Sequence, residues 1–250
     1  MSTSSASSVV VLYRGGRLPS WHRLTDSQRN AYQRKHVLLM LSVAKRHGLL
    51  RLDGFRLLAP CGSCERFWVM EFPALEAAEA WMAAEVAPPY GSYGHYEYLL
   101  ARRLCPPALS WMPQKSPVAA AQGDPHVVPD LRADSASIVV LGFGGWEPDS
   151  ADVASKQRGD DPRWRRLRQF ADSGEMIHGE LFQLIGRQAD WSVLWLCEFT
   201  ELSQAERWIE ADCEPPWGAY SRRRYELARR WAPAYFNAWL SSAAKNSSSH

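Results

Sequence analysis

His36 is the residue best placed to carry a proton, because it falls within a run of apolar residues at helical spacing: Tyr32, His36, Leu39, Met40 and Val43. Imidazole is the one side chain whose ordinary pKa, about 6.5, allows proton exchange near neutral pH, so His36 is a candidate general base. The same position also suits a core histidine held by a hydrogen-bond partner. Glu71, Tyr98 and Arg102 complete a candidate acid–base set. Glu71 recurs as Glu198, and two carboxylates facing one another would drive one of them towards protonation. Alternatively the pair is structural, each carboxylate capping the following helix or pairing with Arg102 and Arg229. Strand alternation puts Tyr98, Leu100 and Arg102 on one side of their strand, and Phe67, Val69 and Glu71 on one side of theirs. Tyr13, Trp21, Tyr90 and Tyr93, with His22 and His95 between them, offer the aromatic surfaces and polar tips that a flat apolar ligand requires.

The chain states one long stretch twice. Trp68 to Arg103 (WVMEFPALEAAEAWMAAEVAPPYGSYGHYEYLLARR) returns without a gap as Trp195 to Arg230 (WLCEFTELSQAERWIEADCEPPWGAYSRRRYELARR), 127 positions later. Two copies imply a duplicated unit rather than a solenoid, which needs three or more short repeats. In the first copy, Val9 to Tyr13 reads as a buried strand followed by a turn at Gly15-Gly16. A helix follows from Thr25 to His47, with a Thr25/Gln28 capping box and a Gly48 stop. Strands over 50–58 and 65–72, a helix over 74–85 and a strand over 96–104 complete the unit. The second copy predicts a strand over 138–141 with a turn at Gly144-Gly145, a helix over 162–171, strands over 177–185 and 192–199, a helix over 202–211 and a strand over 224–231.

Each copy therefore has the βαββαβ order of a ferredoxin-like unit. The expected fold is α+β, two such repeats packed as an intramolecular dimeric α/β barrel, because the apolar face that one sheet exposes must be covered by another. The expected boundaries are a disordered tail over 1–8, repeat one over 9–105, a Pro- and Ala-rich linker over 106–136 and repeat two over 137–232. A C-terminal extension and disordered tail take up 233–250. Running into that extension, Trp231 to Leu240 (WAPAYFNAWL) is too aromatic to be left in water and should pack back onto a domain.

A formal net charge of +2, from 29 basic and 27 acidic residues, leaves no one-signed field to hold nucleic acid or an anionic membrane. No run approaches the roughly 18 apolar residues of a membrane span, and MSTSSASS lacks the features of a signal peptide. Five cysteines, sparse and odd in number, suit a reducing cytoplasm. Cys61-Gly-Ser-Cys64 is half a zinc site with no second pair in the sequence, so no metal is expected there. Without a G-x-G-x-x-G or phosphate loop there is no nucleotide cofactor to expect.

The run Glu71-Phe72-Pro73-x-x-Glu76-x-Ala78-x-x-Trp81 followed by Pro89-Tyr90 resembles the EFPS-x-x-A-x-x-W-x-SPEY signature of uncharacterised families in the dimeric α/β-barrel superfamily. The passage from Arg34-Lys35-His36 through Gly48 to Leu57 is similar to the YCII-related families. That resemblance implies a helix histidine paired with an aspartate near the end of the second helix. Here the family's Asp-Pro is Ala87-Pro88, while the second copy has Asp212 ahead of Pro215 but Arg163 in place of His36, so neither copy keeps both partners.

The resemblance implies a cofactor-independent enzyme of small-molecule metabolism, an isomerase, cyclase or monooxygenase acting on an aromatic or polycyclic ligand. The chain would be a monomer, since each half would cover the other. Two alternatives stand beside this: a haem- or metal-binding barrel with His36, His22 or His95 as ligand, and a binding protein without catalysis. Three of the four histidines that the repeat does not share (His22, His36, His95 and His178) lie in the first copy, which places an asymmetric site there. His36→Ala should abolish ligand binding in folded protein while Arg163→Ala is nearly silent. Equal loss from both would indicate a site shared by the copies.

Overall fold

The computed structural model describes residues 8–104, 109–113, 121–132, 136–146, 162–188, 190–215 and 221–244. Eight strands and six α-helices among them make an α+β protein. The chain divides into two compact units, the first formed by Met1–Leu100, Val118–Asp134 and Arg230–His250, the second by Ala101–Pro117 and Ser135–Arg229.

In unit 1 the order is β1 (Val9–Arg17), α1 (Pro19–His22), α2 (Asp26–His47), β2 (Arg51–Cys61), β3 (Cys64–Phe72), α3 (Leu75–Glu85) and β4 (Gly94–Leu104, counted here to Leu100). β3 lies antiparallel between β1 and β2, pairing Tyr13 with Trp68 and Leu52 with Met70, and β4 lies beside β1. Alternation then sends Val9, Val11, Tyr13, Met70 and Phe72 to one face, where they pack on α2 and α3 through Val37, Met40, Ala44, Ala78 and Trp81. Helix α2 starts at the expected capping box, Thr25 accepting from the Gln28 N–H and Gln28 from the Thr25 N–H, and ends at Gly48 with φ 78°.

Unit 2 repeats the order with β5 (Ile138–Trp146), α4 (Pro162–Asp172), β6 (Met176–Gln188), β7 (Trp191–Phe199), α5 (Leu202–Cys213) and β8 (Ser221–Trp231, counted here to Arg229). β5 pairs with β7 and β8, β6 pairs with β7, and Ala101–Leu104 pair with β6. Trp208 of α5 packs on Trp195, Phe199 and Tyr225 with ring centroids 6.1–6.4 Å apart.

Gly15-Gly16 and Gly144-Gly145, expected as turns, lie inside strands that run on to Arg17 and Trp146. They are small because neighbouring chain comes close. A Cβ on Gly15 would meet the His95 carbonyl oxygen at 2.1 Å, and one on Gly145 the Asp190 carbonyl oxygen at 2.0 Å. The aromatic C-terminal stretch does pack back. It forms α6 (Pro233–Ala244) on unit 1, where Phe236 packs on Trp68 and Trp231, while residues 121–132 run against it through a Trp231 Nε1–H bond to the Asp130 carbonyl. Gly54 of β2 makes this seat possible, since a Cβ there would lie 2.2 Å from the Phe236 ring. Gly54→Ala should therefore destabilise the chain by about 1–3 kcal/mol in denaturant titration, the usual range for overpacking. An unchanged midpoint would mean that α6 is not seated against β2.

Candidate functional site

The buried stripe of α2, His36, Val37, Met40 and Ala44, aims His36 at the end of α3, where the matching stripe delivers Trp81 and Glu85. His36 and Glu85 are both buried, and His36 Nε2 stands 3.5 Å from Glu85 Oε2. Tyr90, just past α3, stacks on the imidazole with centroids 4.1 Å apart and planes 18° from parallel. The Arg17 guanidinium lies over the other ring system of this corner, 3.7 Å from the Tyr90 centroid and 4.8 Å from that of Trp21. Burial lowers the Arg17 pKa from its ordinary value, with Arg66 adding to the effect.

These groups open onto a cavity walled by the sheet face, α2, α3 and α6, with Arg66, Trp68, Trp81, Trp231 and Phe236 among its lining. Its free volume is small, about 30 Å³, so it is a narrow slot. Trp68 Nε1, Trp81 Nε1 and the Tyr98 hydroxyl are buried without a hydrogen-bond partner among the described residues. Trp208 Nε1 repeats the Trp81 orphan at the matching position of unit 2, which makes that one a property of the fold. Tyr98 differs from its counterpart. In unit 2, Tyr225 donates to Asp212 at 2.7 Å, and Arg223 stands 3.3 Å from the same carboxylate. Asp212 matches Glu85 in the repeat, Tyr225 matches Tyr98 and Arg223 matches Tyr96, so only in unit 1 is the carboxylate turned to a histidine.

Some of the expected site residues converge here. His36 and Tyr90 line the slot, Trp21 and Tyr93 pack beside Tyr90, and Tyr13 packs with Trp68, Tyr96 and Tyr98 at 5.2–5.9 Å. Others do not. Glu71 lies on the sheet face away from the helices, since its neighbour Met70 faces them, and accepts a hydrogen bond from Ser8 as Glu198 does from Ser137. Arg102 belongs to unit 2, where it pairs with Gln183 along the β4–β6 ladder. His22 is exposed at the end of α1, and His95 joins Glu97 and Cys64. The side chain of Arg163 lies outside the described residues.

The sequence reading missed Glu85, Arg17 and Arg66. Glu85 carried a signal, for it stands three residues before Pro88 as Asp212 stands three before Pro215. The statement that neither copy keeps both partners of a His–acid pair is thus corrected: the acid is a glutamate, two residues ahead of the expected position.

No family model and no curated protein of significant similarity matches the chain. Its fold, however, is shared with solved chlorite dismutases. A mutant of the enzyme from Candidatus Nitrospira defluvii in complex with cyanide matches at TM-score 0.64 and 11% identity, covering 96% of each chain. The same enzyme in complex with imidazole matches at 0.62 and 11%, covering 96% of this chain and 97% of that one. A further protein assigned as a chlorite dismutase matches at 0.59, covering 94% of this chain and 99% of that one. The chain thus has a ferredoxin-like α+β fold, while the likeness to YCII-related and EFPS-signature families gains no support. The expectation of a cofactor-free protein is corrected. Cyanide and imidazole, held by two of these neighbours, are both ligands of metal centres, so the neighbours count against a fold used only without a cofactor. Isomerase, cyclase and monooxygenase chemistry finds no support among them. No helix among the described residues is long and apolar enough to cross a membrane.

Four tyrosines of unit 1 hold their protons above the ordinary value of 10.0: Tyr13, Tyr98 and Tyr235 strongly, and Tyr96 pushed up to about 12. Burial is the main cause, and the Glu85 carboxylate adds to it for the first three of the cluster, Tyr13, Tyr96 and Tyr98. Above pH 10 the unfolded chain releases protons that the folded chain retains, so this stability is whole below pH 10 and is lost as pH rises through 12. In an alkaline phenolate titration these tyrosines should ionise together with loss of circular dichroism. Independent ionisation near pH 10 in folded protein would contradict the burial.

Proposed function

We propose that unit 1 binds a tetrapyrrole, haem in the first instance, in the slot between its sheet, α2, α3 and α6. The observation that carries this reading is the buried His36–Glu85 pair at 3.5 Å on the wall of an apolar, tryptophan-lined slot. A histidine ligand is ordinarily oriented by a carboxylate on its second ring nitrogen, which also raises its basicity. Glu85 faces His36 in that way, and the Tyr90 stack fixes the ring plane. The donor set therefore suits haem iron, and the guanidinium groups of Arg66 and Arg17 suit anionic substituents at its edge. When bound, the iron would supply redox chemistry. What this chain's own residues do is narrower. His36 would hold the iron through the ring nitrogen that Glu85 does not face, and Trp68, Trp81 and Trp231 exclude water.

The slot is thinner than a macrocycle requires. That same thinness favours a second reading, in which the occupant is a smaller flat aromatic molecule and no iron is held.

We read the chain as two ferredoxin-like repeats that arose by duplication and act as a monomer in a reducing, cytoplasmic setting. The Arg51–Glu71 pairing of β2 and β3 returns 127 positions on as His178–Glu198 in β6 and β7, which supports the duplication. Cys197 and Cys213 are free thiols, which suits the compartment.

Titration of the purified chain with haem should produce a Soret band. His36→Ala should change its position and intensity, and Glu85→Gln should weaken affinity by about 10–100-fold, as loss of a ligand's carboxylate partner does. No Soret change on titration, or an identical spectrum in His36→Ala, would reject haem. Quenching of tryptophan fluorescence by a flat aromatic, without a Soret band on haem addition, would select the second reading. Chlorite, for which the proteins of this fold are named, is the first substrate to assay.

A further inference from the structure

We propose a zinc site in unit 1, separate from the slot, held by Cys64 Sγ, His95 Nε2 and a Glu97 carboxylate oxygen. These three donor atoms lie within 4.8 Å of one another. Glu97 Oε1 is 3.0 Å from His95 Nε2 and 4.0 Å from Cys64 Sγ. Tetrahedral zinc, with bonds of about 2.0–2.3 Å, holds its ligand atoms about 3.3–3.7 Å apart, so side-chain shifts of the order of 1 Å close the site.

The local sequence explains why the three meet. Cys64 opens β3 directly after the Gly62-Ser63 turn, opposite Cys61 in the ladder, while His95 and Glu97 are two apart on β4 and so share a face. β1 separates these strands, and its Gly15-Gly16 pair lets both approach: a Cβ on Gly16 would lie 2.3 Å from the Ser63 carbonyl oxygen, and one on Gly15 2.1 Å from that of His95. The half site visible in Cys61-x-x-Cys64 thus finds its partners on β4 rather than further along a sequence motif.

The chemistry is self-consistent. A thiolate and a carboxylate balance the two charges of the ion, and neutral imidazole completes a sulfur, nitrogen and oxygen set that zinc accepts readily. Glu97 gives its other oxygen, Oε2, to Arg14 at 3.0 Å, which orients Oε1 as an outer partner orients a ligating carboxylate. The cluster also belongs to one copy only. Cys64, His95 and Glu97 correspond in the repeat to Trp191, Arg222 and Arg224, so the shared demands of the fold do not require it.

This proposal does not rest on the tetrapyrrole reading. The test is the full-length chain, equilibrated with zinc, freed of excess by gel filtration and assayed by elemental mass spectrometry, which should hold about one zinc per chain. Cobalt loaded in its place should give a thiolate-to-metal charge-transfer band. Cys64→Ser should abolish that band, and His95→Ala and Glu97→Ala should each weaken metal affinity at least about tenfold, with folding checked by circular dichroism. His36→Ala should retain the metal, and zinc should raise the melting temperature of the wild type but not of Cys64→Ser. Wild-type chain that leaves the column without zinc overturns the site. So does a charge-transfer band that survives Cys64→Ser, or metal lost from His36→Ala and kept by His95→Ala.

Discussion

A carboxylate buried at the end of a helix costs several kcal/mol unless charges or donors face it, and unit 1 is arranged around meeting that cost at Glu85. In unit 2 the corresponding Asp212 receives a hydroxyl from Tyr225 and a guanidinium from Arg223, both carried by the strand beneath it. In unit 1 that strand supplies tyrosines at both positions, Tyr96 and Tyr98, and therefore no cation. The group that faces the carboxylate instead is His36 on α2, 3.5 Å from Glu85 Oε2. The imidazole needs a rigid seat to serve that purpose, which Tyr90 gives by stacking, and Tyr90 is in turn covered by Arg17. One exchange, a strand arginine for a tyrosine, thus accounts for the histidine, the stack above it and the cation above the stack.

The duplication makes this argument possible. Features that both copies share, such as the serine-to-glutamate bonds at Glu71 and Glu198 or the orphaned indoles of Trp81 and Trp208, answer to the fold. Features found in one copy call for another explanation. By that criterion Glu71, attractive as half of a carboxylate pair, belongs to the sheet, and the buried acid at Glu85 and Asp212 belongs to the fold, whereas His36 and the aromatic cover of α6 are particular to unit 1.

Much of this was legible in the chain. The strands and helices of both units follow from periodicity, capping residues and the repeat, and the aromatic richness of 231–240 required a packed position. Two kinds of information were not local. Gly15-Gly16 reads as a turn because glycine pairs usually mark one, and only the approach of His95 and Ser63 from neighbouring strands shows that the pair clears space inside β1. Glu85 lies 49 positions from His36 and on another helix, so no spacing rule joins them. The numerical match with Asp212 was the available clue, and it was obscured by looking for the acid immediately before Pro88.

Alternation along β1 and β4 explains how unit 1 can carry two unrelated clusters so close together. Tyr13 turns towards Trp68 and Tyr98 at the slot, while the next residue, Arg14, turns the other way and meets Glu97. On β4, Tyr96 and Tyr98 take the slot side, and His95 and Glu97 fall between them in the opposite sense. Side chains of adjacent residues are thereby committed to different chemistry, aromatic and apolar on one face, ionic and metal-ligating on the other. A register slip of one residue in either strand would exchange the two sets, placing Arg14 and Glu97 against the tryptophans and turning the tyrosines away from them. The apolar face under α2, α3 and α6 penalises that exchange heavily, so the packing that forms the slot also fixes the geometry of the second cluster.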